Sequence, residues 1–302
     1  MSTRVVALVG PTAVGKSAVA VEIAPELGAE IVSIDSMQVY EGMDIGTDKA
    51  APALRARVTH HLLEVAPASR EVTVAEFQSL GRAAIADIAS RSRLPFLVGG
   101  SGLYFRAVVD HFEFPERASS VRRALEEELR RVGARTLHAK LARVDPVAAA
   151  RIEPTNSRRT VRALEAIEVT GRPFSDSYTW GRYESVYDLR VAGITLPREV
   201  LYERVVARVE RMLRAGLVEE VRGLQEVGIG PTARQALGYR QVLEAPSDAT
   251  RDELKAAIVS ATKRLVRRQE SWFRSDPRIR WFDGAAEGLT RDLVAYLHGT
   301  SG

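Results

Sequence analysis

The chain opens on a run of apolar, largely β-branched positions, Val5 to Val9, that stops at a glycine loop. A helix-forming stretch from Ser17 to Leu27 follows, and then a second run, Ile31 to Asp35. Short apolar runs bounded by turn residues predict buried strands, and strand, loop, helix and strand in succession predict parallel pairing. Phe96 to Val98, which leads into Gly99-Gly100-Ser101-Gly102, and Leu189 to Leu196 predict further strands. Sheets of this kind gather chemistry at the carboxyl ends of their strands. After Pro197, the positions Leu201, Val205, Val209, Met212, Leu213, Leu217, Val221 and Leu224 recur at steps of three and four. That period predicts one long amphipathic helix ending near Gly228 or Gly230. A further helix is predicted from about Asp252 to Phe273, with a peripheral tail beyond it.

Between Phe114 and Arg182 the texture changes to charged, helix-forming residues broken at Asp145-Pro146, Glu153-Pro154 and Gly171-Arg172-Pro173. Pro and Gly at such breaks end helices, so this stretch predicts a helical insertion. The expected architecture is α/β: a P-loop NTPase-like parallel sheet flanked by helices, built from residues 1–112 and 186–302 and interrupted by an all-helical insertion at 113–185.

Composition narrows the chemistry. At 302 residues, 45% apolar and 27% charged, the chain has enough of both classes to bury a core and stay soluble, which excludes disorder as its main state. The longest apolar stretches, such as Val5 to Val9 and Pro95 to Val98, fall far short of the roughly 18 residues of a membrane span. No basic region, apolar stretch and cleavage site follow one another at the N-terminus, so a cytoplasmic protein without membrane partners is expected, and a monomer. Zero cysteines exclude disulfides, thiolate zinc sites and a cysteine nucleophile, and five scattered histidines offer no metal cage. Any metal is expected to sit on oxygen ligands and phosphate.

The net charge of +4 is unevenly spread. Residues 117–182 hold 14 Arg and Lys against 8 Asp and Glu, a local +6, and residues 263–280 hold seven against two, a local +5. Basic charge concentrated on two segments suits a polyanion, because each neutralised phosphate releases counterions. Solvated, arginine-rich helices would read the same way.

The sharpest motif is Gly10-Pro11-Thr12-Ala13-Val14-Gly15-Lys16-Ser17, which fits G-x-x-x-x-G-K-[ST] between a strand and a helix. Backbone N–H groups and the helix N-terminus can wrap a phosphate chain, with Lys16 adding a point charge and Ser17 a ligand for Mg²⁺. Which phosphate ester is held does not follow from the motif. Asp35 closes the second strand, and closure of neighbouring strands at one end of the sheet would set it beside the loop. It can position magnesium or act as general base toward a nucleophile approaching the phosphate-bound donor. A structural strand-end role is the third possibility. The glycine turn with Ser101 allows close approach of backbone or substrate and offers one hydroxyl. Adjacent His60 and His61 face opposite ways in a strand and cannot chelate together, so packing or polar-surface roles are expected.

Taken together, these residues resemble the tRNA dimethylallyltransferases, also called tRNA isopentenyltransferases, which prenylate the adenosine 3′ to the anticodon. The resemblance runs through Gly10 to Ser17, Asp35 to Thr47, His60-His61-Leu62 and Gly99 to Phe105. It continues through Asp145-Pro146 with Ala148 to Arg151, Arg159 with Arg162-Ala163-Leu164-Glu165, and Gly216-Leu217-Val218 with Glu220-Val221. Gly238-Tyr239 and Arg268-Gln269 with Trp272 complete it.

The resemblance implies that the loop, through Thr12 to Ser17, holds the diphosphate of dimethylallyl diphosphate with magnesium. It implies that Asp35 is the general base, that Ser36, Met37 and Gln38 line the pocket for the target base, and that Ser101 replaces the family's usual threonine as a tRNA contact. Contacts to the tRNA anticodon stem-loop are implied for Arg122, for Arg158, Arg159, Thr160, Val161 and Arg162, and for Lys263, Arg264, Arg267 and Arg268. The last segment reads Leu265-Val266-Arg267-Arg268-Gln269 where the family commonly has Tyr-Ala-Lys-Arg-Gln. The expected reaction transfers a dimethylallyl group to N6 of adenosine 37 and releases diphosphate. Its rivals are a P-loop kinase of small molecules or nucleotides and a prenyltransferase of free adenine nucleotides.

Overall fold

The computed structural model describes residues 2–112, 114, 118–177 and 183–299. Residues 113, 115–117 and 178–182, which fall in the predicted insertion and include its predicted start, lie outside the described residues. The chain divides into two compact units, one formed by Met1–Val109 with Ser185–Gly302 and the other by Asp110–Glu184.

The first unit is built on a six-stranded parallel sheet: β1 (Arg4–Val9), β2 (Ala29–Ile34), β3 (His60–His61), β4 (Leu94–Gly99), β5 (Asp188–Thr195) and β6 (Ile279–Asp283). Their order across the sheet is β3-β2-β4-β1-β5-β6. Every residue of β2 and all but the first of β1 are buried, as parallel strands covered on both faces require. The helices Lys16–Ile23 and Leu289–His298 pack on the sheet and on each other, while Val74–Ser90 packs on β2, β4 and the helix Gly102–Val109. This arrangement is the P-loop-like α/β fold. Among the described residues no helix is long and apolar enough to cross a membrane.

Four sequence expectations are corrected. The strands preceding the glycine loop and Asp35 are not neighbours, because β4 lies between them. The long amphipathic stretch is two helices, Arg198–Arg214 and Leu217–Val227, broken at Gly216, whose φ of 98° is open to glycine and strained for other residues. The apolar period continues across the break because both helices bury Leu201, Val205, Val209, Met212 and then Leu217, Val221 and Leu224 in one core. Finally, the tail is not peripheral: β6 extends the sheet, and the helix Leu289–His298 buries Leu293, Val294 and Leu297. The helix after the glycine loop is also short, ending at Ile23 ahead of Pro25.

The second unit is helical, with Ser119–Val132, Ala134–Val144 and Ser157–Thr170 as its main elements. Its own core gathers Leu125, Leu137, Leu141, Ile152, Leu164 and Phe174. Asp145 caps the short turn beginning at Pro146 by accepting the Ala148 N–H at 2.9 Å, and it also accepts the Ser175 N–H at 2.8 Å. The Asp-Pro break read from the sequence is thus a buried N-cap that joins two parts of the unit.

Candidate active site

β1 delivers the chain into the glycine loop at Gly10, where a Cβ would lie 2.6 Å from the Ile194 carbonyl oxygen of β5. Only glycine lets the loop leave the sheet there. Ala13 (φ 67°) and Gly15 (φ 104°) then curl the backbone before the helix begins at Lys16. Non-glycine residues held in the left-handed region mark over-determined functional loops. Lys16 folds back over the loop and its ammonium donates to the Pro11 carbonyl at 2.7 Å. Ser17 is exposed on the first turn of the helix.

The loop is braced from elsewhere in the unit. The Thr12 N–H donates to Gln269 Oε1, and Gln269 Nε2 donates to the Gly100 carbonyl, both at 2.9 Å. Arg204 donates to the Val14 carbonyl at 3.2 Å from the helix Arg198–Arg214. The turn after β4, with half-buried Ser101, therefore stands next to the glycine loop, as the strand order demands. Trp272 lies against Gly102, where a Cβ would come within 2.2 Å of its indole.

Asp35 follows β2 and is half-buried. Its Oδ1 accepts the Met37 N–H at 2.9 Å and the Gln38 N–H at 3.4 Å, a local turn that aims the carboxylate. Among the described residues, Oδ2 accepts no hydrogen bond. Gln38 is held by Ser33, which donates to its Oε1 at 2.8 Å, and by its own Nε2, which donates to the Thr47 carbonyl at 3.2 Å. Ser36 is half-buried, and Met37 packs against the core.

Lys16, Arg208 and Asp35 form one electrostatic group. Burial, and then the positive charge of Arg208, lower the Lys16 ammonium to about 7, against the opposing pull of Asp35. Arg208 is lowered by burial as well and is held by an ion pair to Asp48 at 3.1 Å. Lys16 and Arg208 thus bring two cationic side chains to the glycine loop, where its amides and these charges can together receive an anion.

The other residues implicated by sequence fall in two places. Arg158 and Arg159 are exposed on the helical unit, but Thr160 and Val161 turn into its core, at 0% and 2% exposure, so a surface contact through their side chains is corrected. The helix period brings this about: it points 160, 161, 163 and 164 inward. Arg122 and Arg162 converge on the buried Glu165, at 3.9 and 3.0 Å from Oε2. In the sheet unit, Lys263 lies over the Tyr202 ring at 4.8 Å, Arg267 donates to the Tyr202 hydroxyl at 3.0 Å, and Arg264, Arg267 and Arg268 are exposed on the helix Arg251–Arg274. His61 pairs with Glu30 at 2.7 Å and His60 Nδ1 meets the Val58 carbonyl at 2.8 Å, so both are structural. Sequence reading missed Arg204, Arg208 and Gln269 as members of the site. Arg204, Arg208 and Arg211 recur at four- and three-residue steps, a stripe visible in the sequence beside the apolar one.

A glycine loop of the P-loop kind and an aimed carboxylate at one end of a parallel sheet suit a group-transfer enzyme of the P-loop-like class. The chain matches the family model described as "IPP transferase" over residues 38–276 and that described as "Isopentenyl transferase" over residues 3–63. It is 54% identical over 302 residues to the tRNA dimethylallyltransferase of Acidothermus cellulolyticus, covering 98% of this chain and 94% of the relative. It is 51% identical over 290 residues to that of Streptomyces coelicolor, covering 95% and 92%. Among solved structures, the full-length tRNA isopentenylpyrophosphate transferase from Bacillus halodurans superposes with a TM-score of 0.73 at 37% identity, over 99% of this chain and 96% of that one. The protein belongs to the IPP transferase family.

Proposed function

We infer that this protein transfers a dimethylallyl group from dimethylallyl diphosphate to the N6 amine of adenosine 37 in tRNA, releasing diphosphate. The observation that carries the reading is the free Oδ2 of Asp35 in one electrostatic group with Lys16 and Arg208 at the glycine loop. A carboxylate aimed past the cradle serves a nucleophile that must lose a proton, and the family match favours an amine attacking a prenyl carbon over a hydroxyl or water attacking phosphorus.

In this scheme the amine's lone pair bonds to C1 of the dimethylallyl group as the C1–O bond to diphosphate breaks. The adenine amine is a poor nucleophile because its lone pair is delocalised, so proton loss accompanies attack, and Asp35 Oδ2 takes the proton. Lys16, Arg208 and the loop amides neutralise the charge that develops on the departing diphosphate. Gln38, fixed between Ser33 and Thr47, and Ser101 line the pocket for the base. An anticodon-loop base must leave its stack to enter, which is least costly in a single-stranded loop.

Magnesium suits the donor set. Among the described residues no cluster of three or more His, Asp or Glu could cage a metal, and the loop offers the Ser17 hydroxyl, a hard oxygen. Magnesium keeps waters and phosphate oxygens and asks for few protein ligands, so Ser17 would hold it, and when bound it supplies further charge neutralisation at the diphosphate. The anticodon arm would be gripped by Arg158, Arg159, Arg122 and Arg162 on the helical unit and by Lys263, Arg264, Arg267 and Arg268 on the sheet unit. The cradle and the carboxylate lie in one chain, so a monomer suffices for the chemistry, and cytoplasmic tRNA is the substrate pool this reading assigns.

The test is incubation with magnesium, labelled dimethylallyl diphosphate and an anticodon stem-loop bearing adenosine after the anticodon, in parallel with ATP. Label in the RNA supports the reading; ATP turnover without label in the RNA replaces it with a kinase.

A further inference from the structure

Downstream of Asp35 the chain makes a loop whose backbone is captured by a side chain from a distant helix. Glu220, on the helix Leu217–Val227, accepts three consecutive backbone N–H groups: Asp44 at 3.0 Å and Ile45 at 2.8 Å on Oε2, and Gly46 at 3.1 Å on Oε1. The Tyr239 hydroxyl donates to the same Oε1 at 2.5 Å. Four donors on one carboxylate is a strongly charge-assisted arrangement. The Tyr239 ring is fully buried and seated on Gly46, where a Cβ would lie 2.3 Å from Cε2, so no other residue fits at 46. Burial and the bond to Glu220 raise the Tyr239 phenol and keep it protonated as a donor.

The next residue is where this clamp reaches the site. The Thr47 carbonyl accepts Gln38 Nε2 at 3.2 Å and Arg208 Nη2 at 3.5 Å, and Asp48 pairs with Arg208. Thr47 is itself pinned through its hydroxyl, which donates to the Met43 carbonyl at 2.6 Å. Neither Glu220 nor Tyr239 has a partner among the catalytic groups; their route to them is the backbone of 44–48.

We propose that Glu220, with Tyr239, is a positioning residue: by clamping the 44–46 amides it sets the Thr47 carbonyl that orients Gln38 toward the substrate base and Arg208 toward the diphosphate. This rests on the roles assigned above to Gln38 and Arg208. A rigid neighbouring shell of this kind is what holds reacting groups to sub-ångström tolerance.

The test uses the full chain with Glu220→Gln, Tyr239→Phe, Arg208→Lys and the Glu220→Gln/Arg208→Lys pair. Amide hydrogen exchange without substrates is expected to be about tenfold faster at 44–46 in Glu220→Gln and about threefold faster at Gly46 in Tyr239→Phe, which keeps the ring packing. Affinity for inorganic diphosphate with magnesium is expected to fall in each Glu220 and Arg208 single variant, and the double variant to lose no more than Arg208→Lys alone, because both act through one contact. Losses that multiply in the double variant overturn the proposal, as does wild-type protection at 44–46. If Glu220→Gln does not fold, unchanged exchange at Gly46 in Tyr239→Phe overturns it. Exchange is read without substrates, so a chain that transferred no prenyl group would end the proposed function and leave that result standing.

Discussion

Thr12 and Gly100, separated by 88 positions in sequence, are joined through one side chain: Gln269 accepts the N–H of the first and donates to the carbonyl of the second. The carboxamide is suited to this because its oxygen accepts while its NH2 donates. It ties the loop after β1 to the turn after β4 and so sets the width of the cradle. Gln269→Ala is expected to lower stability by about 1–3 kcal/mol through two lost hydrogen bonds and to raise the KM for dimethylallyl diphosphate about tenfold, with RNA affinity within a few-fold. Urea unfolding and steady-state kinetics check both.

Lys16 sits near 7 in the free protein, so at pH 8 it is mostly neutral. A bound diphosphate favours the ammonium and raises that value, so binding takes up a proton at pH values between the free and bound pKa. Affinity is therefore expected to fall as pH rises above about 7. Calorimetry at pH 8 in buffers of differing ionisation enthalpy should show uptake of a proton, and Lys16→Met should abolish it and weaken binding about a hundredfold.

Glu30 is buried at the start of β2, where the hydrogen bond from Arg91, then that from His61, hold its carboxyl down at about 2. A lowered carboxyl stabilises the fold above its unfolded pKa, and the contribution is lost as pH falls through the folded value. Glu30→Gln is expected to be less stable by about 1–2 kcal/mol at pH 7, discounted because Arg91 is half exposed. The gap should close as pH falls from about 4.5 toward 2. Denaturant midpoints across that range measure it.

Much of this site was legible in the sequence because it is local. The glycine loop, the Asp35 turn and the turn after β4 each lie within a few residues, and their chemistry depends on backbone that those residues dictate. Strand order is not local: nothing in the apolar runs says that β4 inserts between β1 and β2, although the resulting closeness of Lys16 and Asp35 survives. Arg208 and Gln269 escaped notice because each sits on a helix whose apolar stripe is the stronger signal, and their role comes only when that helix packs beside the loop. The inward turn of the Thr160 and Val161 side chains is likewise set by the helix period, which exposes only part of the run 158–162.

The most direct test is the single-turnover rate of label transfer by Asp35→Asn at saturating donor and RNA. An asparagine keeps an oxygen for the Met37 and Gln38 amides but cannot accept a proton at physiological pH. The rate should fall by about a hundredfold or more while affinity for the stem-loop stays within a few-fold. Transfer at the wild-type rate would contradict a mechanism in which this carboxylate takes the adenine proton.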